Sequence, residues 1–173
     1  MPYQVRLAAI DDLAALPSIE RAAAALFPAD DLPPALRAQT LPAQDLCDAQ
    51  RQGRLWVAQA GDGTVAGFAL ASRSGAQAFL DEMDVHPAHA RRGIGRALVA
   101  AVVQWARAQG LVSLGLTTFS HLPWNAPFYA RLGFVALAPA ALCPHLSAAL
   151  AGEAALGLRR RVAMRLPLDA VAD

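Results

Sequence analysis

The sequence predicts a mixed α/β fold: one domain, residues 1–173, built on a twisted, mostly antiparallel sheet of about six or seven strands with a central parallel pair and helices on both faces. Three observations point there. Short apolar runs bounded by Gly, Pro and Asp alternate with longer stretches of helical periodicity. Leu55–Ala60 and Val65–Ser72 are joined by Gly61-Asp-Gly-Thr64, a hairpin signal that makes those strands antiparallel. Phe79–Val85 is followed by a long helical pattern and then by another strand. A strand–helix–strand unit of that kind is parallel and right-handed.

Tyr3 to Ala8 alternates apolar and polar residues as a first strand does. Asp11 or Asp12 can cap the helix that follows. Leu13, Leu16 and Ile19 form the apolar stripe of that helix, Glu20 and Arg21 point outward, and Pro17 requires either a kink or a late start. Phe27 to Pro34 is a turn-rich connector. A short helical piece and a second, from Pro42 to Gln52, lead to Gly53. After the hairpin and the strand Phe79–Val85 comes the long helix, Gly93–Gln109, with Leu98, Val102 and Trp105 on one stripe and Gly110 as its cap. Leu111–Thr117 reads as a strand, Trp124–Leu132 as a short helix, Phe134–Leu137 as a strand, His145–Ala155 as a helix and Arg161–Leu166 as the last strand.

Composition narrows the function classes. Apolar residues make up 55% of the chain and charged residues 17%, a lean charged surface that favours a homo-oligomer such as a homodimer. All basic residues are arginine, and the net charge of +1 gives no broad basic field for nucleic acid. No run approaches the ~20 apolar residues of a membrane span, and the start of the chain has no apolar signal region, so a soluble cytoplasmic protein with no membrane partner is expected. Cys47 and Cys143 have no metal-ligand spacing and read as two free thiols; no metal is expected.

The stretch from Phe79 to Leu98 carries the strongest chemical signal. His86-Pro87 ends the strand, since proline cannot donate to a ladder. Arg91-Arg-Gly-Ile-Gly-Arg-Ala97 then opens the long helix. Backbone N–H groups at a helix start have no intrahelical partners, which makes the junction a ready anion site. Gly93 and Gly95 allow close backbone approach, Arg91, Arg92 and Arg96 add charge, and Ile94 packs.

A second block, Pro123-Trp-Asn-Ala-Pro-Phe-Tyr-Ala-Arg-Leu-Gly-Phe134, follows after one further strand. With both blocks in this order, the chain resembles the GNAT superfamily of acyl-CoA-dependent N-acyltransferases over nearly its whole length. The first block looks like that family's pyrophosphate loop, except that Ala90 stands where Gln or Arg usually begins the pattern. The resemblance implies acetyl-CoA as co-substrate, with Arg91 to Ala97 at the pyrophosphate and the backbone of Met83, Asp84 and Val85 along the pantetheine arm. It implies that Asn125 contacts the cofactor and that Tyr129 both lies against it and protonates the departing thiolate. Four residues apart, these two share a helix face, while Phe128 and Leu132 form a neighbouring face suited to the core.

A free alkyl amine is mostly protonated near neutral pH, so a general base is expected. Glu82 sits where many family members carry an acidic residue. Asp84 shares its strand face and Asp81 does not. His86 reads as a turn residue that can relay a proton; His89, His121 and His145 read as surface residues; and Trp56, Trp105 and Trp124 read as core or groove wall. Asp30 and Asp31 either attract a cationic amine or form a solvated turn. The implied activity is direct acetyl transfer to a primary amine of a small molecule or peptide, because no cysteine lies in either block. A non-catalytic acyl-CoA-binding or regulatory module on the same fold is the alternative. A dinucleotide fingerprint is disfavoured, because Leu98 stands at its third glycine.

Overall fold

β1, Tyr3–Leu7, begins the part of the chain that the computed structural model describes, residues 3–168; the extreme ends of the expected domain lie outside the described residues. The other strands are β2 (Leu55–Ala60), β3 (Val65–Ser74), β4 (Gln77–Val85), β5 (Ser113–Phe119), β6 (Val135–Ala136) and β7 (Arg161–Pro167). The helices are α1 (Leu16–Ala24), α2 (Pro34–Arg37), α3 (Ala43–Arg51), α4 (Ile94–Ala108), α5 (Ala126–Ala130) and α6 (Pro144–Ala155). The strands form one seven-stranded sheet in the order β1-β2-β3-β4-β5-β7-β6. β1 with β2, β2 with β3, β5 with β7 and β6 with β7 are antiparallel. β4 and β5 are parallel, with Gln77–Phe79 against Ser113–Gly115. This is the mixed sheet with a central parallel pair that the sequence predicts.

Pro17 has the effect expected of it. A 3-10 turn, Ile10–Ala15, comes first, and α1 starts at Leu16 with Pro17 in its first turn, where the missing N–H costs nothing. Asp12 is not an α1 cap. Its carboxylate accepts the Ala9 N–H at 2.7 Å and the Arg6 guanidinium through two bonds, at 2.6 and 2.9 Å. That bidentate pairing is the first cause holding the Asp12 carboxyl below its usual range.

β5 is displaced from its expected place. Leu111 N–H bonds to the Ala106 carbonyl across the Gly110 turn, so Leu111 belongs to the helix exit. At its other end β5 continues to Phe119, because β7 pairs with it as far as Arg161.

The chain divides into two compact units: residues 1–71 with 82–104, and residues 72–81 with 105–173. The first buries Leu16, Ile19, Leu46, Leu55, Val57 and Phe68 in its own core. The second packs Phe79, Leu146 and Ala163 together, with Leu137, Leu142 and Leu150 around them. Each such large apolar side chain contributes about 1.5–3 kcal/mol when fully buried.

Candidate active site

In the first unit, β4 leads through a 3-10 turn, Pro87–His89, into the start of α4. His86 is the turn residue expected: its Nδ1 accepts the Ala88 N–H at 3.2 Å. Two consecutive reversals follow, at Arg91 (φ 59°) and Gly93 (φ 82°), both left-handed. A left-handed arginine is unfavourable by about 1–2 kcal/mol, whereas glycine adopts that conformation freely. The first helical bond runs from Ala97 N–H to the Gly93 carbonyl at 3.0 Å. The N–H groups of Ile94, Gly95 and Arg96 therefore precede any intrahelical acceptor, while that of Ala97 is already bonded. Gly95 lies within the first turn of α4, and the Ile94 side chain is buried, as expected of a packing residue. Arg92 is tied at one corner: its Nη1 donates to Tyr3 Oη at 2.8 Å.

The carboxylates of the same unit cluster. Glu82 and Asp84 are both half-buried on β4. Desolvation raises the Asp84 carboxyl to about 9, with further contributions from the negative charges of Glu82 and Glu20. Glu20 corrects an expectation. It does not point freely outward: both its oxygens accept the Leu41 N–H, at 3.1 and 3.0 Å, and burial raises its carboxyl against the pull of that bond. The helix pattern could place Glu20 on α1, but its neighbours on β4 are more than 60 residues away in sequence. Asp81 lies on the opposite face as expected, exposed and accepting from Ser72 Oγ at 2.9 Å.

In the second unit, Asn125 stands at the head of α5. Its carbonyl accepts the Phe128 and Tyr129 N–H groups at 2.9 and 3.1 Å, but its side chain caps nothing. Asn125 Oδ1 is buried and has no hydrogen-bond partner among the described residues. A buried acceptor left unpaired costs about 1–3 kcal/mol, so it marks a place for a donor from outside. Tyr129 is buried, with Phe128 and Phe134 set edge-on at 5.1 and 5.5 Å. Phe128 and Leu132, expected in the core, are only half-buried. Elsewhere in this unit Glu153 of α6 joins Thr117 and Arg161, and the Arg161 guanidinium lies 4.5 Å from the Phe119 ring centroid.

Several other expectations shift. His145 is not a surface residue; it stacks on Phe79 at 3.8 Å between centroids. His89 is half-buried with its Nδ1 2.9 Å from Tyr3 Oη. Asp31 is buried, not solvated, while Asp30 is exposed. Trp56 is a core residue, but Trp124 is 44% exposed. Both cysteines are free thiols. No helix among the described residues is long and apolar enough to cross a membrane.

Comparison with known proteins gives a concordant result. Residues 9–134 match the model of the acetyltransferase (GNAT) family. Among solved structures, the PaiA N-acetyltransferase of Thermoplasma acidophilum in complex with coenzyme A is similar, at 16% identity and a TM-score of 0.70 over 96% of this chain and 99% of that one. The yncA protein of Salmonella typhimurium with its cofactor acetyl-CoA matches at 21% identity and a TM-score of 0.69, covering 100% and 98%. The ribosomal-protein-S18-alanine N-acetyltransferase of Escherichia coli matches at 19% and 0.66, covering 99% and 96%.

Proposed function

The chain belongs to the acetyltransferase (GNAT) family, and we propose that it transfers an acetyl group from acetyl-CoA to a primary amine of a small molecule or peptide, by direct attack in a ternary complex. The observation that carries the reading is the start of α4. There the N–H groups of Ile94, Gly95 and Arg96 stand before the first intrahelical bond, beside Arg91, Arg92 and Arg96. Such a cluster of donors suits a pyrophosphate. A Cβ built at Gly93 would meet nothing within 4 Å, so the approach is open. Residues 1–173 are read as one acetyltransferase domain.

The other roles follow from the chemistry of the side chains. The backbone of Met83, Asp84 and Val85 is assigned to the pantetheine arm, as an added strand would pair, and an N–H there to the thioester carbonyl. Asn125 Oδ1, a buried acceptor in search of a donor, suits an N–H group of the cofactor. Acetyl-CoA supplies the acetyl group as an activated thioester. Glu82 takes the proton from the incoming ammonium. Burial, with the charges of Glu82 and Glu20 beside it, raises the Asp84 carboxyl, so Asp84 is a poorer source of negative charge in the cluster than an ordinary aspartate. Tyr129 delivers its phenolic proton to the departing thiolate. Cys47 lies in α3 and Cys143 just before α6, outside both motifs, which supports transfer without an acyl-enzyme.

Thiol release from acetyl-CoA, measured over alkyl amines, peptides with free N-termini, polyamines, aminoglycosides and amino acids, tests this. Turnover is expected with at least one class, and Tyr129→Phe is expected to lower kcat by about 10²-fold with little change in KM for acetyl-CoA. Full turnover by that variant removes Tyr129 as the acid. CoA binding with no turnover on any amine replaces the enzyme with a non-catalytic acyl-CoA-binding module.

A further inference from the structure

Tyr3 and His89 belong to neither cofactor motif, yet Tyr3 is bonded to the arginine that precedes Gly93 and His89 is bonded to Tyr3. Arg92 Nη1 donates to Tyr3 Oη at 2.8 Å, and Tyr3 Oη lies 2.9 Å from His89 Nδ1. The two rings meet edge to face, 5.7 Å between centroids and 89° between planes. Arginine can only donate, so the Tyr3 oxygen accepts from Arg92. In the arrangement that uses every group, the Tyr3 proton then points to Nδ1, and the His89 proton sits on Nε2. Tyr3 comes from β1, 89 residues from Arg92 in sequence. Arg92 itself is exposed, and its remaining guanidinium donors have no partner among the described residues.

We propose that Tyr3 and His89 are positioning residues, which hold the Arg92 guanidinium at one corner so that the rest of its fork is ready for a phosphate of CoA. The proposal rests on the acetyl-CoA reading above. A long exposed arginine normally loses rotamer freedom when it engages a phosphate. One fixed by a tyrosine from another strand has lost much of that freedom beforehand, so less affinity is sacrificed on binding. The same arrangement gives β1, at the far edge of the sheet order, a part in cofactor binding. It also offsets the polar side chain missing at Ala90, because Arg92 is held rather than free.

Calorimetric titration with CoA, without acceptor, tests the proposal. Tyr3→Phe keeps the ring and removes the hydroxyl; it is expected to weaken CoA binding about five- to tenfold. His89→Ala should weaken it in the same direction, while His89→Gln, which keeps an acceptor, should restore most of the loss. In the Arg92→Gln background Tyr3→Phe should have no further effect, which a merely structural role for Tyr3 would not produce. In turnover, KM for acetyl-CoA should rise with kcat nearly constant. Loss of the Tyr3→Phe effect when 3′-dephospho-CoA is the titrant assigns Arg92 to the 3′-phosphate; its persistence assigns Arg92 to the pyrophosphate. Equal CoA affinity in wild type and Tyr3→Phe, or additive losses with Arg92→Gln, overturns the proposal. If wild type does not bind CoA at all, the cofactor reading itself falls and takes this proposal with it.

Discussion

Asp84 lies on β4 two residues past Glu82, and both project from the same side of the strand. Burial is the largest cause that raises its carboxyl to about 9, and the charges of Glu82 and Glu20 add to it. The consequence for stability has a definite sign. Between the unfolded carboxylate value of about 4 and the folded value of about 9, the native state holds a proton that the unfolded chain has released. Stability therefore falls as pH rises through that window. Asp84→Asn carries no such proton. Its gain over wild type should be small near pH 4 and grow by about 1.4 kcal/mol per pH unit, to roughly 5 kcal/mol by pH 8, read from urea midpoints at several pH values. The slope is the test, because an amide in the same place adds a constant offset; parallel profiles for the two proteins would mean that Asp84 is ionised like an ordinary carboxylate. The sequence places Glu82 and Asp84 on one face, since alternation along a strand is local. It cannot place Glu20 beside them, nor Tyr3 beside Arg92, because those neighbours are made by chain returns of about 60 to 90 residues.

β4 owes its path to the strand beside it. A Cβ at Gly67 of β3 would sit 2.7 Å from the Asp84 carbonyl oxygen and 3.2 Å from the Val85 Cα and Cγ2. The 2.7 Å clash is with backbone, which cannot swing aside as a long side chain can, and the His86 N–H is bonded to the Ala66 carbonyl at 2.9 Å immediately beside it. Gly67→Ala should therefore push β4 at the residues assigned to the pantetheine arm. A loss of about 1–3 kcal/mol in stability and a clear loss of CoA affinity are expected together. Gly61→Ala, where nothing lies within 4 Å, is the control that should leave both unchanged. Retained affinity in Gly67→Ala would mean that β4 tolerates the displacement, or that its backbone does not bind the arm. At this scale the sequence is read well where a signal is local: the Gly61–Thr64 hairpin, the late start forced by Pro17 and the α4 exit at Gly110 all stand as expected. It is read less well where a partner decides the ends. β5 runs on to Phe119 because β7 pairs with it there, and β6 shrinks to two residues.

Across the whole chain, the two compact units have separate cores, yet their boundary does not follow the elements. β3, β4 and α4 each pass from one unit into the other: β4 has residues 77–81 in the second and 82–85 in the first. A strand cannot lose half its ladder and keep the rest at full strength, so unfolding of one unit should carry the other with it. This makes the reading of residues 1–173 as a single domain testable. Leu16 is wholly buried in the first core, and Leu16→Ala should cost about 2–5 kcal/mol. The β5–β7 ladder, Ser113–Phe119 against Arg161–Pro167, lies entirely within the second unit. In native-state hydrogen exchange, the most protected amides of that ladder should lose protection in Leu16→Ala by the full destabilisation measured from denaturant unfolding. Ladder amides that keep their wild-type protection would show two cooperative units joined in one chain, each with its own unfolding transition.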